Sequence, residues 1–304
     1  MPRVSVIIPN YNHGAYLIQR INSILSQSFQ DFEVIILDDC SDDHSRDMIE
    51  SFREDPRVTH IVYNKENSGS TFKQWELGIS LAAAELIWIA ESDDWCEPNM
   101  LEELVQGIEK DENCVISYCQ SYCIYNTNVL MWVSQHPFLS EIIEGRDYIK
   151  RYMLMNNSIF NASMVLWKKK FFQYASKDFL NYKFCGDWLF WVEIAKQGTV
   201  HVSGKTHNFF RKHKKDITGS ATTSGLETIE TISVLNTMYQ NGLITNPEFE
   251  KGIKRLFKKY WGQKQTLHSE IRVKIEKAFQ SPPSSKTYFN KMKLSAVWRS
   301  LVNK

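Results

Sequence analysis

Glu91, Ser92, Asp93 and Asp94 follow directly on the apolar run Ile87–Ala90, so three carboxylates gather around one serine where a buried strand would end. Acids delivered in this way into a crevice can hold a divalent cation against phosphates. A second run, Phe32–Leu37, passes into Asp38 and Asp39, and two strands therefore aim acids at one edge. Glu91 and Asp93 are two apart and face the same way if the strand persists, whereas Asp94 can turn elsewhere after the strand ends. The plainer role for such a cluster is to cap the next helix.

Other residues suit the same edge. Tyr11 has a ring that can stack on a nucleobase, with core packing as its plainer role, and Asp39 can accept a base N–H, which suits uracil or another base with an outward N–H donor. Asn67 to Gly69 followed by Lys73 would place a cation near phosphate. Asp187 is a lone acid in Lys183–Trp191, an aromatic and apolar neighbourhood. Partial desolvation would make it a good general base for a hydroxyl, with capping of the following helix as the simpler alternative. Gly186 permits the close approach into that helix.

The elements that must position these groups alternate. Val4–Ile8 reads as a strand stopped by Pro9, Tyr16 to Leu25 as a helix, Phe32–Leu37 as a strand, and Met48 to Phe52 as part of a helix. Val58–Val62 is a short strand, a helix starts near Ser70, and Leu86–Ala90 is the fourth strand. Such alternation favours an α/β fold with an open, mostly parallel sheet, whose ligands collect at the carboxyl ends of the strands. Further on, a helix follows Pro98, Cys114–Tyr125 and Asn161–Trp167 are strand-like, Arg146–Met155 is helical, and Val200–Val202 with Thr206–Phe210 form a short strand pair. The small polar residues Thr218–Gly225 suggest a loop after a catalytic unit over residues 1–215, with a mainly helical extension over 216–304.

Composition limits the function. Hydrophobic content of 43% supports a substantial core, and a net charge of +1 gives no reason to expect nucleic-acid binding. No GxGxxG or GxxxxGK[ST] loop follows an early strand, which argues against dinucleotide oxidoreductases and P-loop enzymes. Six cysteines without a zinc-site pattern read as free thiols. From Lys251 onward there are 14 basic residues against two acidic ones. Ile253, Leu256, Phe257, Tyr260 and Trp261 form an apolar stripe there, flanked by lysines, which would suit an anionic membrane surface unless it packs internally. No run approaches about 18 apolar residues, and Met1-Pro2-Arg3 leads straight into a strand. The expectation is a cytoplasmic protein, peripheral at the inner face of the membrane if the tail binds lipid.

Residues 3–215 resemble the inverting GT-A glycosyltransferases of family 2, which build bacterial surface polysaccharides. Val4–Asn12 is similar to the opening strand whose Pro9 and Tyr11 line the base pocket, with Asn12 beside them. Leu37–Asp43, containing Asp38, Asp39 and Ser41, resembles the uridine-binding segment, with Cys40 where glycine is commoner. Asn67-Ser68-Gly69 resembles the loop before a nucleotide-facing helix that would carry Lys73. The resemblance makes Glu91-Ser92-Asp93 the DxD segment, with Asp93 the direct ligand of Mg2+ or Mn2+, and Asp187 the base. Arg211-Lys212-His213 resembles a late Arg-x-His segment, which makes Arg211 a phosphate contact and His213 a metal or phosphate ligand, with His207 a weaker alternative. The implied activity is inverting transfer from a nucleotide-sugar, preferably a UDP-sugar, to a glycan or lipid-linked saccharide in polysaccharide or O-antigen assembly. A metal-dependent nucleotidyltransferase and a noncatalytic glycan-binding protein are the alternative classes.

Overall fold

The computed structural model describes residues 1–126, 129–213, 225–284 and 286–302. They form two compact units. The first takes the described residues of 1–145, 159–181 and 193–213, and the second those of 146–158, 182–192 and 225–302. The helical part is therefore not a simple tail cut off at one point, because two segments from the middle of the chain belong with it. The small-polar stretch from Thr218, and the boundary near residue 215, lie outside the described residues.

In the first unit, β1 (Val4–Asn10), α1 (Gly14–Leu25), β2 (Phe32–Asp38), α2 (Ser45–Glu50), β3 (Val58–Tyr63), α3 (Thr71–Leu81) and β4 (Leu86–Ile89) alternate as expected. Every residue of β1, β2 and β4 is buried, which is why these strands read as mainly apolar runs rather than as alternating ones, with Ser5 and Glu33 hydrogen-bonded to each other inside them. Then come β5 (Trp95–Cys96), α4 (Met100–Glu109), β6 (Cys114–Tyr125), β7 (Val129–Val133), β8 (Ser140–Glu144), β9 (Val165–Lys168) and β10 (Thr199–Lys212).

The sheet runs in the order β3-β2-β1-β4-β9-β6-β10-β5, with β7 added to β6 and β8 to β10. Pairing is parallel from β3 through β4 and again between β6 and β10. It is antiparallel where β9 enters between β4 and β6, and around β5, β7 and β8. The sheet is thus parallel in its first half and mixed in its second. Two antiparallel steps across β9 restore the direction of β4 in β6 and β10, so the ends of β1, β2, β4 and β10 all reach one edge. The two short strands expected at 200–202 and 206–210 are one continuous β10, with register shifts between Val202 and Asn208 absorbing the polar interruption.

Most of α5 (Gly145–Tyr148), which passes into a π-helical turn over Ile149–Met153, and most of α6 (Gly186–Ala195), apolar except for Asp187 and Glu193, belong to the second unit. They are followed there by α7 (Leu226–Gln240), α8 (Asn246–Gln263), α9 (Ser269–Gln280) and α10 (Lys286–Val302). The apolar stripe of residues 253–261 lies on α8. Ile253, Phe257 and Tyr260 are buried, and Phe257 meets Phe279 and Phe289 at 5.7 Å between ring centroids. These three residues are core of the helical unit, while Leu256 and Trp261 of the stripe are half-buried. No described helix is long and apolar enough to cross a membrane. All six cysteines are free, and only Cys40 is exposed.

Candidate active site

The carboxyl edge of the sheet is built by turns that follow buried strands. After β1, Asn12 takes a left-handed conformation (φ 57°) and turns the chain into α1. Its backbone N–H donates to Ser41 Oγ at 2.9 Å, and its Oδ1 accepts the Asp42 N–H at 2.9 Å. After β2, Cys40 also has positive φ (62°), the conformation glycine adopts without strain. Asp38 accepts Asn10 Nδ2 at 2.7 Å and Ser41 Oγ at 2.6 Å, which ties the ends of β1 and β2 together.

Asp39 is buried and organises its own loop. Its Oδ1 accepts Asn64 Nδ2 at 2.7 Å, the Ser68 N–H at 2.9 Å and Gln74 Nε2 at 2.9 Å, while Oδ2 accepts Ser68 Oγ at 2.8 Å. A carboxylate offers about four acceptor positions, so this one is occupied by protein donors. Asn67 donates from Nδ2 to the Asp39 carbonyl at 3.0 Å, Gly69 has φ 72°, and Lys73 Nζ rests on the Ser68 carbonyl at 3.1 Å. Tyr11 stands with half its surface exposed beside buried Pro9, as a stacking platform would.

The three acids after β4 separate into three environments. Glu91 accepts Trp75 Nε1 at 3.0 Å, and burial, reinforced by the charge of Asp93, pushes its pKa up to about 8. Asp94 is buried and accepts Asn161 Nδ2 and Ser163 Oγ, both at 2.6 Å, and the Arg211 backbone N–H at 2.9 Å. Burial and then the charge of Asp93 raise its pKa. Arg20, fully buried over the Trp88 ring at 5.0 Å, opposes both acids with positive charge. Asp93 behaves differently. Burial pushes its pKa up, but the hydrogen bond from His213 and the charges of His13 and His213 outweigh that and hold it below the ordinary carboxylate value.

Asp93 Oδ2 lies 3.1 Å from His213 Nε2. Arg211, the penultimate residue of β10, is 1% exposed, and its guanidinium is fixed on several sides. Nε donates to the Asp93 carbonyl at 2.7 Å, one terminal nitrogen to the Asn126 carbonyl and the other to Gln19 Oε1, both at 2.6 Å. The same guanidinium stacks on Tyr16 at 4.6 Å and Trp95 at 4.4 Å. Three of its five N–H groups thus tie the end of β10 to the Asp93 turn, to Asn126 and to Gln19 of α1. His207 lies upstream on β10, with its carbonyl accepting the Glu97 N–H at 2.8 Å, and is not in this group.

The sequence reading missed His13, which sits with Asp93 and His213: one ligand atom from each of the three lies within 4.8 Å of the others. Ser92 Oγ is 2.9 Å from His13 Nδ1. It also missed Tyr16 and Gln19. The usable signal was their placement at the start of a helix that follows the first strand, at the edge where the acids end.

Asp187 belongs to the second unit, at the first turn of α6. Its Oδ2 accepts Asn157 Nδ2 at 3.0 Å and its Oδ1 the Trp188 N–H at 2.7 Å. Burial pushes its pKa up to about 7. The amides ahead of the helix are taken by Glu230 of α7, whose carboxylate accepts the N–H groups of Lys183, Phe184 and Cys185, each at 2.8 Å. The donors at the start of α6 are thus shared, three amides going to Glu230 and the Trp188 N–H to Asp187. Glu230→Gln, which puts an amide N–H against one of those donors, is expected to lower turnover about tenfold and leave nucleotide affinity unchanged. Steady-state kinetics beside nucleotide calorimetry would check this, and an equal loss of both would contradict it.

Comparison with known proteins agrees with this architecture. Residues 5–175, over half of the chain, match the family model for glycosyl transferase family 2. The glycosyltransferase GlyG of Streptococcus pneumoniae is 35% identical over 150 residues, which covers 49% of each chain. The poly(ribitol-phosphate) beta-N-acetylglucosaminyltransferase TarS of Staphylococcus aureus is 29% identical over 118 residues, 38% of this chain and 20% of TarS. The chain thus matches about half or less of the length of these curated relatives. The crystal structure of TarS 1–349 in complex with UDP-GlcNAc superposes with a TM-score of 0.70 at 18% identity, covering 91% of this chain and 79% of that one, so the GT-A-like fold is shared. With the family model lying over the strands that carry the acids, the chain belongs to glycosyl transferase family 2.

Proposed function

We propose that this protein transfers a sugar from a UDP-sugar to a saccharide or lipid-linked saccharide acceptor, with inversion at the anomeric carbon, in the assembly of a bacterial surface polysaccharide. The observation that carries this reading is the pairing of Asp93 with His213 at the carboxyl edge of a family 2 sheet. The donor set, one ionised carboxylate and one imidazole 3.1 Å apart, fits a divalent cation such as Mg2+ or Mn2+. When bound, such an ion neutralises charge developing on the leaving diphosphate.

The residues of the chain divide the remaining work. Tyr11 offers an exposed ring to the uracil, and the Asn67–Gly69 loop and Lys73 border the nucleotide. Arg211 faces the diphosphate. Asp187 takes the proton of the attacking hydroxyl, and its raised pKa suits acceptance near neutral pH. The UDP choice draws on the UDP-GlcNAc and UDP complexes of TarS. The decisive experiment offers UDP-, GDP- and dTDP-sugars with Mn2+ or Mg2+ and glycan acceptors, and reads nucleotide release and product anomer. Release of pyrophosphate from a nucleoside triphosphate would instead favour nucleotidyl transfer, and sugar binding without turnover a lectin-like role.

Peripheral contact with an anionic membrane is a second part of the proposal, shifted from the mostly buried α8 stripe to what the helical unit leaves outside. Lys251, Lys254, Lys258 and Lys259 are exposed, as are Val273, Leu294 and Trp298. The protein is expected to float with anionic vesicles and to be released by salt. Absence of binding at low salt would remove this contact.

A further inference from the structure

His13 shares one small volume with Asp93 and His213, and its position is set from several sides. The Asn12 turn is pinned by Ser41 and Asp42, so the chain enters α1 along a fixed path. Ser92 Oγ at 2.9 Å from Nδ1 sets the rotation of the ring. The His13 and His213 rings meet edge to face, at 5.3 Å and 84°. In an octahedral site with bonds of about 2.1 Å, neighbouring ligand atoms stand roughly 3 Å apart. The 3.1 Å separation of His213 Nε2 and Asp93 Oδ2 already matches such an edge, and His13 brings its own ligand atom within 4.8 Å of both.

The nearby acids do not compete for this place. Glu91 is turned to Trp75, and Asp94 to Asn161, Ser163 and the Arg211 amide. Among the described residues, one carboxylate, that of Asp93, is therefore directed at a point where two imidazoles converge.

We propose that His13 is a third protein ligand of the cation, forming a two-imidazole, one-carboxylate site that takes Mn2+ or Co2+ in preference to Mg2+. This rests on the reading of Asp93 and His213 as metal ligands. Mg2+ prefers oxygen, gives up water reluctantly and is usually held by carboxylates and substrate phosphates. Imidazole nitrogen favours the first-row transition metals, so each histidine shifts selectivity toward them. Ser92, held against the ring, is the outer partner that orients this ligand.

The test uses the full chain without nucleotide, with Mn2+ binding measured by electron paramagnetic resonance and calorimetry, and Mg2+ as competitor. Wild-type protein is expected to bind one Mn2+, at least about tenfold more tightly than Mg2+. His13→Ala should weaken Mn2+ by about 10–100-fold and change Mg2+ little. His13→Phe keeps a ring against Tyr16 and His213 without a nitrogen, and should show the same loss. Retention of wild-type Mn2+ affinity by His13→Phe, while Asp93→Ala abolishes it, would overturn the role of His13 alone. Retention by Asp93→Ala would overturn the underlying metal assignment. Equal affinity of the wild type for both ions would overturn the selectivity.

Discussion

Asp187→Asn is expected to cut turnover by about 10²–10⁴ while donor affinity stays within about twofold of wild type, since general-base assistance has this size and acts on the transition state. The amide keeps the shape of the side chain, so the contacts to Asn157 and the Trp188 N–H are perturbed rather than removed. Unchanged turnover in the purified variant would rule out Asp187 as base. The pH profile gives an independent reading. With the pKa raised to about 7 by burial, the ionised fraction of Asp187 falls tenfold per unit below that value, and the rate should follow. The variant should lack this limb. Stability has the opposite slope: between the ordinary value of 3.8 and about 7, the folded chain holds a proton that the unfolded chain has released. This contribution is complete at low pH, declines as pH rises through that window, and is spent above it.

Asp93→Ala is expected to abolish the tightening of UDP binding by Mn2+, with a loss on the order of 10²-fold in the presence of metal and little change in its absence. The specificity of that pattern matters, because simple damage to the edge would weaken both. Asp93 is the acid of the three whose pKa is held down, so it offers a charged oxygen at neutral pH while Glu91 and Asp94 are pushed toward their protonated forms. Calorimetry with UDP, with and without metal, checks it. Wild-type affinity and metal response in the variant would contradict the assignment.

Much of the first unit was legible because β1, β2 and β4 are buried along their whole length. Val4–Ile8, Phe32–Leu37 and Leu86–Ala90 advertise themselves as apolar runs, and the acids after them mark where the sheet ends. β10 was split by the reading because Ser203, Gly204 and Lys205 interrupt its apolar pattern, a gap the strand crosses by shifting register. Asp39 was legible as an edge acid but not as the centre of a loop, because its partners Asn64, Ser68 and Gln74 are polar residues with no spacing rule to connect them. His13 was hidden for a related reason: a histidine in a turn looks the same whether it faces water or a histidine two hundred residues later. The stripe on α8 shows the reverse problem, since amphipathic periodicity specifies an apolar face and not what covers it. The membership of residues 146–158 and 182–192 in the helical unit is a long-range property that local pattern does not carry.

Glu230 gathers three consecutive amides from a segment 45 to 47 positions earlier in the chain. A chain shorn of its terminal helices would leave those N–H groups without their carboxylate, directly ahead of Asp187. Truncation within the carboxyl-terminal helices would therefore unsettle the start of α6 as well as the bundle it removes.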